Sequence, residues 1–214
     1  MKKTIVFTTA LFMATLLMAG NDKYFEKMGK TLAEFTDCES VEGYQALANK
    51  FQTIGRVEKD EWLPRYYEAH CYILMSFQNG ISAADRDLYL GEAEPLVEEV
   101  ITMAPRDPEA LTLQTLWYTG KLVVNPPARS RKLQPLIAHS LAEAFSIEPG
   151  HPRALFMRIS NNIGNAAFFG NDTTPYCKEA RELLANWDKY QVPSPIHPNW
   201  GKKDVEGIVE RCGL

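Results

Sequence analysis

Three prolines, Pro64, Pro108 and Pro152, follow one another at an interval of 44 residues, and Pro105, Pro149 and Pro193 repeat the same interval. Nothing else in the chain restricts its fold as much, because a fixed period of roughly 20–50 residues marks an architecture of stacked units. The small residues Ser76, Gly120 and Gly164 keep the interval as well. Ala110 and Leu111 recur as Ala154 and Leu155, and Val97 and Ile101 recur as Leu141 and Phe145.

The chemistry of the repeated positions is that of a helical hairpin. In Met103 to Pro108 and in Ile147 to Pro152, the second proline suits the first position of a helix, where its missing N–H removes nothing from the hydrogen-bond ladder, and the first proline stops the helix before it. Apolar residues then recur at helical spacing from Pro108 to about Leu122 and from Pro152 to about Phe169, giving the first (A) helix of each unit. The second (B) helices are expected over about Asp85–Met103, Ala128–Ile147 and Pro175–Tyr190. Asp22 to about Phe35 and Val41 to about Ile54 read as a less regular first hairpin. The prolines of Val192 to Pro198 favour an extended strap, followed by a short helix from about Lys202 to Arg211. No strand-like alternation of useful length occurs. The expected fold is all-α: a right-handed α-solenoid of about four helical hairpins with a short C-terminal capping helix.

Met1, Lys2 and Lys3 precede an apolar stretch from Ile5 to Met18, with small residues at Ala19 and Gly20. This is the pattern of a signal peptide over residues 1–20, leaving a helical repeat domain over 21–214. An uncleaved anchor is the alternative, although the stretch is shorter than the roughly 20 residues that cross a bilayer. A periplasmic or secreted location follows, in which thiols oxidise. The remainder shows no second span.

Hydrophobic residues make up 45% of the chain and charged residues 23%, enough to bury a sizeable core. The net charge of −4, with no run of basic residues, argues against a nucleic-acid partner. His70, His139, His151 and His197 form no ligand pair at helical spacing, and no Cys-x-x-Cys is present, so neither a metal nor a cofactor is expected. The sequence lacks a nucleophile elbow, a phosphate-binding glycine loop and a dinucleotide fingerprint. Cys177 with His197 as its base is the one enzymatic arrangement to consider. A disulfide between Cys177 and Cys212 is the better reading, because the first begins the last B helix and the second ends the terminal helix. Cys38 and Cys71 either form a second bridge or stay free, with Cys71 a small buried hydrophobe.

The hairpins, their prolines and the Ala-Leu pairs resemble tetratricopeptide-type repeats. The stretches Trp62 to Tyr67, Phe168 to Cys177 and His197 to Gly201 resemble a group of secreted tetratricopeptide-like proteins of Bacteroidota. The resemblance implies a fold and an envelope location, and brings no catalytic residues. The unit of 44 residues exceeds the generic repeat of about 34.

The extra residues fall between the A and B helices, at Gln78–Asp87, Val123–Lys132 and Phe169–Pro175. They either form loops along one binding edge or lengthen the contact between units. A second candidate surface lies on the A helices. His70, Gln114 and Arg158 occupy equivalent positions, with Tyr118, Asn161, Asn162 and Asn165 extending the row and Asp172 beyond it. Asparagine is a poor helix former, so three of them in one helix call for a tertiary reason. The row reads as a polar groove, as an internally satisfied network or as a solvated face. Asp172 also belongs to short glycosylation-like patterns, and capping of the next helix explains the same residues. The expected function is non-enzymatic binding of a protein or peptide. The alternative is a glycan or small-molecule pocket between the last repeat and the strap, near Asn162, Asp172 and Trp200.

Overall fold

The computed structural model describes residues 22–213, so the expected signal peptide and its boundary at residue 20 lie outside the described residues. Among the described residues the fold is all-α, with no strand, one short 3-10 helix (Trp187–Lys189) and nine α-helices. They are α1 (residues 22–36), α2 (Val41–Val57), α3 (Leu63–Phe77), α4 (Ala83–Met103), α5 (Pro108–Val124), α6 (Pro126–Ile147), α7 (Pro152–Phe168), α8 (Thr174–Asn186) and α9 (Lys202–Arg211). No helix of the described residues is long and apolar enough to cross a membrane.

Local chemistry fixes the starts. Pro108 and Pro152 open α5 and α7, Pro64 stands second in α3, and each side chain just before α5 and α7 caps its helix. Asp107 accepts from the Glu109 N–H at 2.8 Å, and His151 Nδ1 accepts from the Ala154 N–H at 3.2 Å. Ser40, Ser82 and Asn125 do the same for α2, α4 and α6.

Of the two alternatives for the residues between the A and B helices, the structure favours longer helices over loops at α4 and α6. Ser82 starts α4 early, and Asn125 alone separates α5 from α6, so the added residues lengthen α4 and α6 to 21 and 22 residues. Pro126 and Pro127 occupy the first turn of α6, where they cost no hydrogen bond.

Each long B helix packs along the A helix before it, α4 on α3 and α6 on α5. The A helices also pack on one another, α3 on α5 and α5 on α7. The core runs through these contacts, with Tyr66, Ile73, Leu90, Val97, Leu113, Met157 and Ile159 all buried. Phe35 of α1 closes the first end against Tyr44, Phe51, Tyr67 and His70.

The C-terminal strap folds back over the starts of the A helices. Tyr67 Oη donates to the Ile196 carbonyl at 3.1 Å, and Trp200 Nε1 donates to Tyr66 Oη at 2.7 Å. The Trp200 ring also meets His70 and Phe156. The chain then turns at Gly201, whose φ of 104° lies in the left-handed region that a side chain disfavours. Helix α9 packs on α8, and a disulfide joins Cys177 to Cys212 with the Cα atoms 5.9 Å apart. Cys177 is therefore no free nucleophile. Cys38 and Cys71 are unpaired thiols in the structure.

Candidate functional site

The interface between α4 and α5 is closed by large side chains. Trp117 of α5 donates its indole N–H to the Leu90 carbonyl of α4 at 2.8 Å. Lys121 lies 4.4 Å over the Trp117 ring and pairs with Glu94 at 2.9 Å. Leu90 presses so closely on Gly120 that a Cβ there would sit 2.8 Å from Leu90 Cδ2.

Shifting by one repeat gives the corresponding interface between α6 and α7, where the same positions hold smaller or more polar groups. Trp117 becomes Asn161, Tyr118 becomes Asn162, Leu116 becomes Ser160, Lys121 becomes Asn165 and Glu94 becomes Ala138. Gln134 stands in place of Leu90, and is exposed where Leu90 is buried. Gly164, the counterpart of Gly120, has nothing within 4 Å of where its Cβ would be. Helices α6 and α7 consequently touch at few points.

Between them lies a cleft of about 640 Å³, with the end of α5 as its floor. That volume falls within the roughly 300–1,000 Å³ of pockets that bury cofactor-sized molecules. Leu122, Ile137, Leu141 and Phe145 supply an apolar wall, and Ser160, Asn161, Asn162 and Asn165 face it from α7. Phe168 and Phe169 stand at one end with Val123. The two rings are 58% and 65% exposed and meet edge to face, although large apolar side chains are usually covered.

Several polar groups of the cleft are already engaged. Asn161 Nδ2 donates to the Met157 carbonyl at 2.8 Å and to Thr119 Oγ1 at 3.1 Å. Gln134 Nε2 bridges to Asn165 Oδ1 at 3.0 Å, crossing from α6 to α7. Among the described residues Arg158 is the single ionisable side chain of the lining, and its guanidinium sits 5.5 Å from the centre of the Phe145 ring.

The row expected on the A helices is divided by the structure. Arg158, Asn161, Asn162 and Asn165 share the cleft. His70 is 2% exposed under Trp200, and burial pushes its pKa down to about 3, so it is a neutral core ring. Gln114 accepts from Ser140 Oγ at 2.6 Å, and Tyr118 packs beside Trp117. Asp172 is exposed and accepts from the Thr174 N–H at 2.8 Å, next to the start of α8. Trp200 packs at the starts of the A helices and takes no part in the cleft.

Sequence reasoning missed a buried ionic cluster. Glu109 and Arg153 occupy the same repeat position, 44 residues apart, and meet across α5 and α7. Arg153 Nε lies 2.7 Å from the Glu109 carboxylate, and His151 Nε2 lies 3.0 Å from it. Because His151 Nδ1 accepts a backbone N–H, the ring proton sits on Nε2 and faces the carboxylate. Burial alone would raise the Glu109 pKa. The hydrogen bonds of His151 and Arg153, with the charge of Arg153, outweigh burial and hold it below the usual carboxylate range. The signal was in the sequence, since Pro64-Arg65, Pro108-Glu109 and Pro152-Arg153 alternate in charge at one repeat position. Among the described residues, no group of three or more His, Cys, Asp or Glu side chains is arranged to hold a metal ion.

No protein-family model matches the chain, and no curated protein sequence does. Among solved structures, the HusA haemophore from Porphyromonas gingivalis is similar, with a TM-score of 0.76 and 25% sequence identity over 88% of this chain and 92% of that one. That neighbour is a binding protein rather than an enzyme, and it comes from a member of the Bacteroidota.

Proposed function

We propose that this protein is a non-enzymatic carrier that holds a haem-type tetrapyrrole in the cleft between α6 and α7. The observation that carries the reading is the change from Trp117 to Asn161 at one repeat position. Where the preceding unit inserts its own flat indole, this unit leaves a gap, lined on one side by Ile137, Leu141 and Phe145. A flat, largely apolar molecule of cofactor size fits that gap in volume and in surface chemistry, and the likeness to a haemophore supports the same class of ligand.

The lining fits the faces of the macrocycle and does not fit its iron. Haem iron is usually held by His, Cys, Met or Tyr, and none of these is among the described residues that line the cleft. The ligand is therefore gripped by its faces and its edge, and an iron-free porphyrin binds as haem does.

The expectation of a protein or peptide partner has less support than a small flat ligand. The amides that suggested a groove for extended backbone are partly engaged within the chain, through Asn161 to Thr119 and Asn165 to Gln134. Around His70 the strap covers the starts of the A helices. We read the fold as a right-handed α-solenoid of tetratricopeptide-like pairs, and the location as periplasmic or extracellular. The signal-like N-terminus, the Cys177–Cys212 disulfide and the haemophore-like fold support that location.

The test is to fill the gap. Haemin and iron-free protoporphyrin IX, titrated separately, are expected to quench the tryptophan fluorescence of the wild type with similar affinities. Asn161→Trp should abolish both and raise the melting temperature, because it restores the indole plug of the preceding unit. Failure of the wild type to bind either compound, or undiminished binding by a folded Asn161→Trp variant, would overturn the proposal.

A further inference from the structure

The tetrapyrrole reading says nothing yet about how the cleft treats the ligand's charged edge. We infer that Arg158 reads a carboxylate on that edge, and that Glu179 is the internal stand-in which the ligand carboxylate displaces. The inference rests on the reading of the cleft given above and specifies its ligand as an anionic plate.

A guanidinium carries five N–H donors in a planar fork. In Arg158 a single nitrogen, Nη2, has an acceptor, Glu179 Oε2 of α8 at 2.9 Å. The adjacent Nε is buried and has no partner. Arginine and carboxylate usually pair through two parallel hydrogen bonds, so the Glu179 contact uses only part of what the group offers. The pair is also shallow, with the two side chains 42% and 39% exposed, and such half-solvated contacts exchange readily.

Placement explains why a cleft carboxylate would win the exchange. Arg158 and Phe145 both line the cavity, with the guanidinium carbon 5.5 Å from the centre of the ring, within reach of a cation–π contact. Among the described residues no carboxylate lines the cavity, although the chain as a whole is acidic. A ligand seated between α6 and α7 therefore meets one cationic side chain in the lining, whose negative partner Glu179 stands outside it. A carboxylate at its edge gains a charge-assisted, forked contact beside an apolar surface, where water competes less. Repeat comparison points the same way, because the equivalent residues are the buried His70 and the internally bonded Gln114. Only in the unit with the open cleft is the position cationic.

Protoporphyrin IX and its dimethyl ester share a macrocycle and differ in the two carboxylates, so the pair isolates the charged edge. Both should bind the wild type, the diacid more tightly. Arg158→Gln is expected to weaken the diacid by roughly tenfold or more and to leave the diester within about twofold. Glu179→Gln should strengthen the diacid alone, by removing its competitor. Arg158→Lys keeps the charge without the fork and should fall between wild type and Arg158→Gln, while melting curves establish that each variant is folded. Equal losses for diacid and diester in Arg158→Gln would overturn the inference and leave the tetrapyrrole reading standing, since Arg158 would then merely shape the wall. Unchanged diacid affinity in Arg158→Gln would overturn it as well. If neither compound binds the wild type, the tetrapyrrole reading itself falls and this inference with it.

Discussion

Burial raises the pKa of two carboxyls, Glu109 and Glu68, and their partners decide on which side of the ordinary value each one ends. Glu109 faces Arg153 and the Nε2 proton of His151, which overcome desolvation and keep it ionised. Its contribution to stability is present at neutral pH and is lost as the pH falls through its depressed folded-state value. Glu68 of α3 has a weaker environment. Burial pushes its pKa up to about 7, against a hydrogen bond from Gln52 Nε2 at 3.0 Å and the charge of Arg56, while Glu99 adds to the rise. The folded state therefore binds the Glu68 proton more tightly than the unfolded chain does. Stability from this group is fully present below its ordinary value of 4.5 and declines as the pH rises through about 7. Glu68→Gln keeps an oxygen for Gln52 and removes the ionisation. We expect it to match the wild type near pH 4.5 and to exceed it at pH 8 by about 1–3 kcal/mol in urea denaturation. A stability difference that stays constant between those two pH values would contradict the assignment.

Helices α5 and α7 show how one repeat pattern yields a sealed interface and an open one. Gly120 and Gly164 occupy the same position, yet only Gly120 is pressed by a neighbour, the Leu90 side chain. Alanine is favoured over glycine inside a helix by about 1 kcal/mol, so Gly164→Ala should stabilise the protein by about that amount. Gly120→Ala gains the same propensity but drives a methyl group to 2.8 Å from a Leu90 carbon that is itself fully buried. Overpacking of this kind costs about 1–3 kcal/mol, so a net loss is expected. Thermal or denaturant unfolding of the two variants checks this, and stabilisation by both would show that α4 yields easily. The helix starts were legible because Pro108 and Pro152 have a local reason to stand where they do. The cleft was half legible: Arg158 and the three asparagines stood out as unusual, whereas its apolar wall reads like any core stripe. What separates Ile137 and Leu141 at a cleft from Ala93 and Val97 in a sealed interface is the size of the residue opposite. That information lies in the comparison of Asn161 with Trp117, across helices, and not in the periodicity of either. Of the two readings of the added residues, longer helical contact holds for α4 and α6, and it was hard to choose from sequence because Ser82, Asn125 and Pro126 look like loop residues and act as helix starts.

At the scale of the molecule, the two ends of the last helix pair do different work. One side opens into the cleft, while the C-terminal segment returns along the other and binds α3 through Tyr66 and Tyr67. This segment has few resources of its own, because α9 is short and residues 190–201 make no regular ladder. The buried Val205 and Ile208 seat α9 on the array, and the Cys177–Cys212 bond pins its end to the start of α8. The bond closes a loop across a sequence separation of 35 residues, for which the chain-entropy model gives a stabilisation of about 3–4 kcal/mol. For a chain of this size that corresponds to a melting temperature roughly 10 °C higher in the oxidised protein. The strap should be the first part to respond when the bond is cut, since it covers His70 and supplies the Trp200 hydrogen bond to Tyr66. Calorimetry with and without reductant should show the drop in wild type, and Cys177→Ser should melt at the reduced value in either buffer. Hydrogen exchange should then be faster in residues 190–211 than in α3 to α5. Identical melting curves with and without reductant would mean that packing of α9 alone secures the C-terminal segment, and that the bond only records the compartment in which the chain folds.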